Sequence, residues 1–269
     1  MNIKDIHNLA DIFDNKINIY KDSCDFILKS DTKHSEELFL LMLGISDSLE
    51  SLSLLSKVNK MRDCYAISRM IYETVINVLY ISATNFEAME DMIKYTDEKS
   101  KHDSARSITT DKEAVFITFD GEKHSVGFTK NNPIKMKGDP RSWTNQNIDK
   151  RINIINKKYG DTVSRFLQLA HLTIYRTSSD IIHGTLYGAR HMLGIVNQKD
   201  STFSLEGMIT HNHSVIITLM LTVSQCIYSI IYAFNKEIKG IDKFEKEYEK
   251  LLQEYLKEGQ EVLSKVKTE

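Results

Sequence analysis

Hydrophobic residues recur along most of the chain at the three- and four-residue spacing of amphipathic helices. Before the middle of the chain this pattern predicts four helices, at about residues 3–29, 34–57, 59–84 and 86–106. After residue 146 it predicts five more, at about residues 147–158, 161–174, 175–192, 205–236 and 241–266. The only two prolines are Pro133 and Pro140, so long stretches are free to be helical. The pattern therefore predicts a mainly α fold, arranged as a single helical bundle.

The helical pattern is interrupted at residues 114–129, which read AVFITFDGEKHSVGFT. β-Branched and aromatic residues there flank Asp120-Gly121, a sequence typical of a tight turn between two strands. We therefore expect a small β-hairpin inserted between helical halves, followed by a basic loop at 130–146. Residues 1–240 are expected to form one helical domain around these insertions. Residues 241–269 are expected to form an amphipathic helix packed on that body or on a partner.

Charge, cysteine and histidine content exclude several classes of protein. The net charge is −2, which argues against a uniformly basic nucleic-acid-binding protein. Cys24, Cys64 and Cys226 are far apart without metal-like spacing, which favours reduced thiols and a cytoplasmic location. The acid-containing N-terminus lacks the apolar run of a secretion signal. His211 and His213 would point in different directions on a helix and could not bind a metal ion as a pair, so we expect no metal site. We expect no other cofactor either.

Residues 214–234 contain no charged residue and are long enough to span a bilayer. On a helix, however, their polar residues form one seam, made of Ser214, Thr218, Thr222, Gln225 and Ser229. A polar seam beside an apolar remainder is typical of a central helix in a bundle, where the seam faces other polar side chains. This pattern favours a protein without a membrane-spanning helix.

A stripe of polar side chains is predicted within the segment YRTSSDIIHG, residues 175–184. On a helix, five residues share one narrow face at offsets 0, 3, 4, 7 and 11, namely Arg176, Ser179, Asp180, His183 and Tyr187. The stripe fits a solvated surface, a buried structural network or a site that handles a phosphate.

A second polar stripe lies in the predicted third helix, within RMIYETVINVLY, residues 69–80. Arg69, Glu73 and Tyr80 share one face and Asn77 lies beside it, whereas the rest of the helix is largely aliphatic. Arg69 needs a partner in such a helix, either Glu73 in the same helix or Asp180 across the bundle. We expect the two polar stripes to face each other, and a purely structural ion pair is the alternative to a functional one.

Arg176 and His183, separated by six residues late in a helical chain, resemble the R-x(4–6)-H motif of the HEPN superfamily, the higher eukaryote and prokaryote nucleotide-binding domains. The motifs RxIYE, at residues 69–73, and YRxxSDxxHG, at residues 175–184, also resemble a bacterial family of unknown function over roughly residues 35–235. The first resemblance covers one short motif, and the second covers most of the chain.

The HEPN resemblance implies a metal-independent endoribonuclease of a defence or toxin module, often dimeric, with an antitoxin or defence-system partner. Arg176 would bind the scissile phosphate and His183 would act as acid or base. Asp180 would orient the histidine or hold Arg69, with Ser179 beside it. Some relatives only bind nucleotides or proteins, and Thr177 departs from the residue that most often follows the arginine. The alternative is therefore a catalytically silent binding module.

Cleavage of RNA by its own 2′-hydroxyl requires a proton acceptor, a proton donor and a cation, which histidine and arginine can supply. RNA also needs a positively charged surface. The most basic part of the chain supplies candidates, together with an aromatic ring for stacking: Lys135, Lys137, Arg141, Trp143, Lys150 and Arg151. These residues form either an RNA-binding surface or an ordinary solvated one.

Overall fold

The computed structural model describes residues 3–103, 105–109, 113–120, 123–129, 142–195 and 204–266. The first helices are α1 (Ile3–Leu28), α2 (Ser35–Lys57), α3 (Met61–Ala83) and α4 (Glu87–Asp103). Three strands follow, β1 (Ala105–Thr109), β2 (Ala114–Asp120) and β3 (Lys123–Thr129). The chain continues with α5 (Ile148–Tyr159), α6 (Asp161–Ala170), a π-helical segment (His171–Arg176), α7 (Thr177–Ile182), α8 (Leu186–Met192), α9 (Leu205–Asn235) and α10 (Asp242–Val266).

These elements belong to two compact units. One consists of Met1–Ala83 together with Ile148–Glu269, and every element described in it is helical. The other, Thr84–Asn147, contains α4 and an antiparallel sheet with the strand order β1-β2-β3. The prediction of a mainly α chain with an inserted hairpin is confirmed.

The sheet contains one strand more than the sequence predicted. β2 and β3 form the expected hairpin, in which Asp120 is paired with Lys123. β1 pairs with β2 along its whole length, from Ala105 opposite Thr118 to Thr109 opposite Ala114. The helical pattern predicted the beginning of β1 as part of the preceding helix. A five-residue strand shows little periodicity of its own, and its hydrogen-bonding partner lies further along the chain.

The core of the helical unit lies between α3 and α9. Val75, Ile76 and Leu79 of α3 are fully buried, and so are Val223 and Ile230 of α9. Fully burying an aliphatic side chain of this size stabilises a fold by roughly 1.5–3 kcal/mol. α3 and α9 pack together, α1 packs on α2, and α2 packs on α3. These core helices therefore provide the rigid support for the polar side chains of α3.

The C-terminal helix α10 packs on α1 and α9. Tyr248 and Tyr255 of α10 are buried, and their hydroxyls donate hydrogen bonds to carbonyl oxygens of α9. These bonds reach the oxygens of Ser224 at 3.1 Å and Ile217 at 3.2 Å. A buried phenol needs such a partner, so the two tyrosines fix both the position and the register of α10.

Among the described helices, α2 and α9 are long and apolar enough to cross a membrane by length and composition. The most apolar window of α9 is 72% buried within the protein, as expected for a core helix, whereas that of α2 is 39% buried. The polar seam of α9 was predicted to face polar side chains, but among the described residues no hydrogen bond joins it to a side chain of another helix. Instead, the Thr222 and Ser229 hydroxyls donate to carbonyl oxygens one turn earlier in α9, each at 2.9 Å.

The predicted helices 161–174 and 175–192 have different boundaries in the structure. α6, the π-helical segment and α7 run on without a break from Asp161 to Ile182. The helix then ends at Gly184, whose φ of +68° favours glycine, and the Thr185 amide donates back to the Asp180 carbonyl at 3.3 Å. The Thr185 hydroxyl caps the next helix, α8, by accepting from the Gly188 amide at 3.0 Å. The predicted continuous helix 175–192 is therefore wrong.

Candidate functional site

A group of polar and aromatic side chains gathers where α3, α5 and the π-helical segment meet. We call it the junction cluster, and its members are Arg69, Tyr72, Glu73, Asn77, Arg151, His171, Tyr175 and Arg176. α3 packs against α5 and against the π-helical segment, which brings residues distant in sequence into contact. α3 also packs against α7, so the two helical segments that carry the predicted polar stripes do pack side by side.

Arg69 occupies the centre of the α3 contribution. Its Nε donates to Glu73 Oε1 at 2.9 Å, and its guanidinium carbon lies 4.5 Å from the centre of the Tyr175 ring. The side chains of Arg69 and Glu73 are 22% and 46% exposed, so solvent screens their attraction. Arg69 therefore pairs with Glu73, as its spacing predicts, but its partner across the bundle is the Tyr175 ring and not Asp180.

Tyr72 and His171 connect α3 to the π-helical segment. The Tyr72 hydroxyl lies 3.2 Å from His171 Nδ1, and the His171 ring stacks on Tyr175 with 5.0 Å between ring centres. Burial lowers the pKa of His171; Asp149 opposes this shift and Arg176 adds to it. Burial also raises the pKa of Tyr72, so the phenol is neutral. His171 therefore presents a neutral imidazole at pH 7.

Arg151 joins the cluster from α5. The side chain is half-buried, and its Nη1 donates to Asn77 Oδ1. Burial lowers the pKa of Arg151, while Glu73 is the largest influence that raises it. Arginine still remains protonated in proteins, so Arg151 adds a positive charge to the junction cluster. Tyr80, predicted as part of this network, is buried on α3 and interacts electrostatically with Arg151.

The predicted basic surface is only partly visible in the structure. Lys135, Lys137 and Arg141 lie outside the described residues. Lys150 is exposed on α5, whereas Arg151 faces the junction cluster and does not lie on an open basic face. Trp143 is half-buried and belongs to the unit that contains the sheet.

The π-helical segment determines which side chains face α3. A π-helix closes its hydrogen bonds over five residues, one more than an α-helix, and such turns are frequent at functional sites. His171 and Arg176 are five residues apart in this segment, and the two side chains interact electrostatically. An α-helical projection at 100° per residue places Arg176 away from His171, so their proximity could not be predicted from an α-helical pattern.

The predicted stripe, which shares Arg176 with the junction cluster, is open to solvent. Arg176, Asp180 and His183 are exposed and Ser179 is half-buried. In the described part of the chain, no hydrogen bond or ion pair engages any of these four side chains. Asp180 takes part only through its backbone carbonyl, which accepts from the Thr185 hydroxyl at 2.9 Å. Asp180 therefore neither orients His183 nor holds Arg69.

Tyr187 does not belong to the stripe. The helix ends before His183, so Tyr187 lies on α8, where its ring stacks on His191 with 6.3 Å between ring centres. Three of the stripe's five predicted members, Arg176, Ser179 and Asp180, lie on one continuous helix, and His183 is the first residue after that helix.

Residues 37–201 match the family of unknown function DUF5677. This match covers more than half of the chain. The chain belongs to DUF5677. No curated protein and no solved structure matches it.

The region that matches DUF5677 contains the whole junction cluster and all of the predicted stripe. Four residues of the site were not selected from the sequence: Tyr72, Asp149, His171 and Tyr175. Tyr72 and Tyr175 lie inside the motifs RxIYE and YRxxSDxxHG, so the motifs themselves were the available signal. No sequence signal distinguished His171, because its relation to Arg176 depends on the π-helical turn.

Cysteine and metal chemistry have little support among the described residues of this DUF5677 chain. Burial raises the pKa of each of Cys24, Cys64 and Cys226 to about 12, so each is a neutral thiol near pH 7. In the part of the chain that the structure describes, no group of three or more His, Cys, Asp or Glu residues is placed to hold a metal ion.

Proposed function

We propose that this protein is a metal-independent endoribonuclease of a bacterial defence or toxin module, with Arg176 and His183 at the cleavage site. The observation that carries the proposal is the exposure of both side chains, neither of which is engaged by a hydrogen bond or ion pair within the described residues. Buried polar side chains are normally hydrogen-bonded within the fold, whereas Arg176 and His183 are neither buried nor hydrogen-bonded within the described residues. Both are therefore available to a ligand.

The guanidinium groups around Arg176 also favour binding of a phosphodiester. The cluster brings Arg69 and Arg151 to the same helix junction, where the carboxylates are those of Glu73 and Asp149. Asp180 lies one turn from Arg176 on the same stripe, so three arginines are matched by three carboxylates, and the favourable feature is the individual guanidinium groups and not a net excess of charge. The arginine fork matches the oxygens of a phosphate, and within the described residues no carboxylate forms an ion pair with Arg176.

Of the two histidines near Arg176, His183 and His171, we assign the proton transfers to His183. An imidazole can accept a proton from the 2′-hydroxyl and donate one to the leaving 5′-oxygen. His183 lies two turns from Arg176, about 10 Å along the helix axis, and the long arginine side chain can close part of that separation. His171 is about 18 Å from His183 along the axis, so we assign it the role of supporting the arginines.

In this proposal, the protein acts in the cytoplasm on RNA. A second copy of the chain, or an antitoxin-like partner protein, would complete or restrain the exposed site.

A catalytically silent binding module is the second candidate, and one observation favours it. Asp180 does not contact His183, so within the described residues no third group orients the imidazole as a catalytic base usually requires. A module of this kind would use the same arginines to bind a nucleotide or protein without cleaving it.

The deciding experiment measures RNA cleavage by the purified protein in excess EDTA. We expect cleavage that leaves 2′,3′-cyclic phosphate ends, because the attacking group belongs to the substrate. His183→Ala should lower the rate by about 100-fold or more and leave RNA affinity nearly unchanged. Arg176→Ala should weaken both binding and rate, because a phosphate clamp acts before and during the reaction.

Two matched variants control for the loss of a side chain. His7→Ala removes an exposed histidine of α1, and Arg165→Ala removes an exposed arginine of α6; both should cleave as the wild type does. Cleavage that persists in a folded His183→Ala protein contradicts the assignment. A wild type that binds RNA but cleaves none of the RNAs tested supports the binding module instead.

A further inference from the structure

A pocket of about 400 Å³ opens in the helical unit between α3, the π-helical segment and α9. Its volume is within the roughly 300–1,000 Å³ of known small-molecule sites. The polar side chains in its wall are Tyr65, Thr173, Thr177, His191, Ser214 and Thr218. None of these residues belongs to the junction cluster, so the proposed nuclease chemistry does not use the pocket.

The hydroxyls in this wall already donate their protons to their own helices. Thr173 Oγ1 donates to the Leu169 carbonyl at 2.9 Å. Ser214 Oγ donates to the Thr210 carbonyl and Thr218 Oγ1 to the Ser214 carbonyl, each at 3.0 Å. A hydroxyl has one proton and two lone pairs, so each oxygen still has lone pairs for a ligand. The wall therefore offers hydrogen-bond acceptors to an occupant of the pocket.

Tyr65 and His191 form the other polar side of the pocket without adding charge. The Tyr65 hydroxyl lies 3.3 Å from His191 Nε2. Burial lowers the pKa of His191, and the neighbouring His211 lowers it further, so the imidazole is neutral at pH 7. Burial raises the pKa of Tyr65 to about 12. The residues that line the pocket include no Asp, Glu, Lys or Arg.

The rest of the wall is aliphatic. Leu172, Val215 and Leu219 supply it, and Leu172 is 56% exposed. Aliphatic surface of this kind favours a ligand with a flat apolar ring over a highly hydrated ligand, because binding removes apolar area from water.

We propose that this pocket binds an uncharged ring compound that carries N–H or O–H hydrogen-bond donors. The ring would cover the aliphatic wall, and its donors would satisfy the acceptors of Ser214, Thr218 and Tyr65. A carboxylate or phosphate would lose its hydration on binding. Its negative oxygens would then face hydroxyl oxygens, which carry partial negative charge and have no free proton to donate. A cation would find no carboxylate among the lining residues.

Indole and benzofuran test this selection as a matched pair. The two bicyclic molecules have nearly the same size and shape, but benzofuran has an oxygen where indole has its N–H donor. Titration calorimetry on the full-length protein should show saturable binding of indole, with benzofuran about tenfold weaker because one hydrogen bond is lost. Indole-3-acetate, which adds a negative charge to the same ring, should bind more weakly than indole.

Variants that keep the shape of the pocket identify its acceptors. Indole has a single N–H, so either the double variant Ser214→Ala/Thr218→Val or the single variant Tyr65→Phe should lower indole affinity toward that of benzofuran, and both should leave benzofuran binding unchanged. Thr74→Val, on α3 outside the pocket, removes a hydroxyl that also donates within its own helix and should have no effect. Thermal melting of each variant checks that it is folded.

Three results overturn the proposal: benzofuran binding as tightly as indole, indole affinity unaffected by the pocket variants, or no saturable binding of indole by the folded protein. His183→Ala should bind indole as the wild type does. A failure of the pocket proposal is therefore distinguishable from a failure of the proposed nuclease activity.

Discussion

At the scale of single residues, Lys16 is the most unusual side chain in the core. It lies on α1 with only 1% of its surface exposed, and its Nζ donates to Ser224 Oγ at 2.6 Å. Nζ also lies 4.0 Å from the centre of the Tyr255 ring. Within the described residues no carboxylate pairs with Lys16, and burial lowers its pKa well below the usual value. The fold therefore favours the neutral amine.

Replacing Lys16 with methionine should stabilise the protein at neutral pH. The unfolded chain binds the lysine proton more tightly than the folded chain, so the contribution of Lys16 to the free energy of unfolding should rise with pH until about 10.4, the ordinary lysine pKa. Lys16→Met lacks this dependence and fills the same space, so its advantage at pH 7 should be on the order of 1 kcal/mol or more.

Urea unfolding at several pH values measures this difference. The advantage of Lys16→Met should shrink as the pH approaches 10, whereas Lys250→Met, at an exposed position of α10, should show no such trend. A Lys16→Met protein that is less stable than the wild type at pH 7 contradicts the interpretation.

At the scale of the elements, the contact between α7 and α8 depends on one glycine. A Cβ atom at Gly188 would lie 2.5 Å from the Asp180 carbonyl oxygen and 2.8 Å from Ile181 Cα. Both are backbone atoms, which cannot rotate away as a side chain can. α8 therefore packs directly on the last turn of the helix that carries Arg176 and His183.

Gly188→Ala should destabilise the protein by about 1–3 kcal/mol, because the added methyl forces α8 away from α7. Gly44→Ala is the matched substitution in α2, where a new Cβ meets nothing within 4 Å. It should stabilise the helix by roughly 0.5–1 kcal/mol. Denaturant unfolding of the two variants measures both effects. Equal changes of the same sign would show that the contact at Gly188 is not restrictive.

The helix bounds also show which elements could be predicted from the sequence and which could not. The bounds of α1, α2, α3, α9 and α10 lie within two residues of those predicted, because the hydrophobic periodicity of a long helix is a local property. The π-helical segment was not predicted, because residues 171–176 have no composition that distinguishes a π turn from an α turn. Gly184 did carry a signal for the end of α7, and the regular polar spacing through Tyr187 outweighed it.

At the scale of the whole molecule, the sequence predicted many residues of the candidate site but not which of them contact each other. Arg69, Glu73, Asn77, Arg151 and Arg176 were all selected from the sequence. The sequence did not indicate that Arg151 belongs beside Asn77, because that contact joins residues 74 positions apart. The cross-bundle role expected of Asp180 belongs to Tyr175, because the π turn directs that ring toward α3.

The match to DUF5677 ends at residue 201, before α9 begins. The core nevertheless depends on α9, which packs on α3, α6 and α10. The junction cluster therefore rests on a core that is built partly from sequence beyond the matched region.

The most direct test of the proposed function compares one RNA with the all-2′-deoxy strand of the same sequence, using the wild-type protein in excess EDTA. If the 2′-hydroxyl of the substrate is the attacking group, the RNA should be cleaved to 2′,3′-cyclic phosphate ends. The deoxy strand should remain intact and compete for the site, because Arg176 recognises the phosphate that both strands carry. Cleavage of both strands, or RNA products with 5′-phosphate ends, would contradict the proposed mechanism.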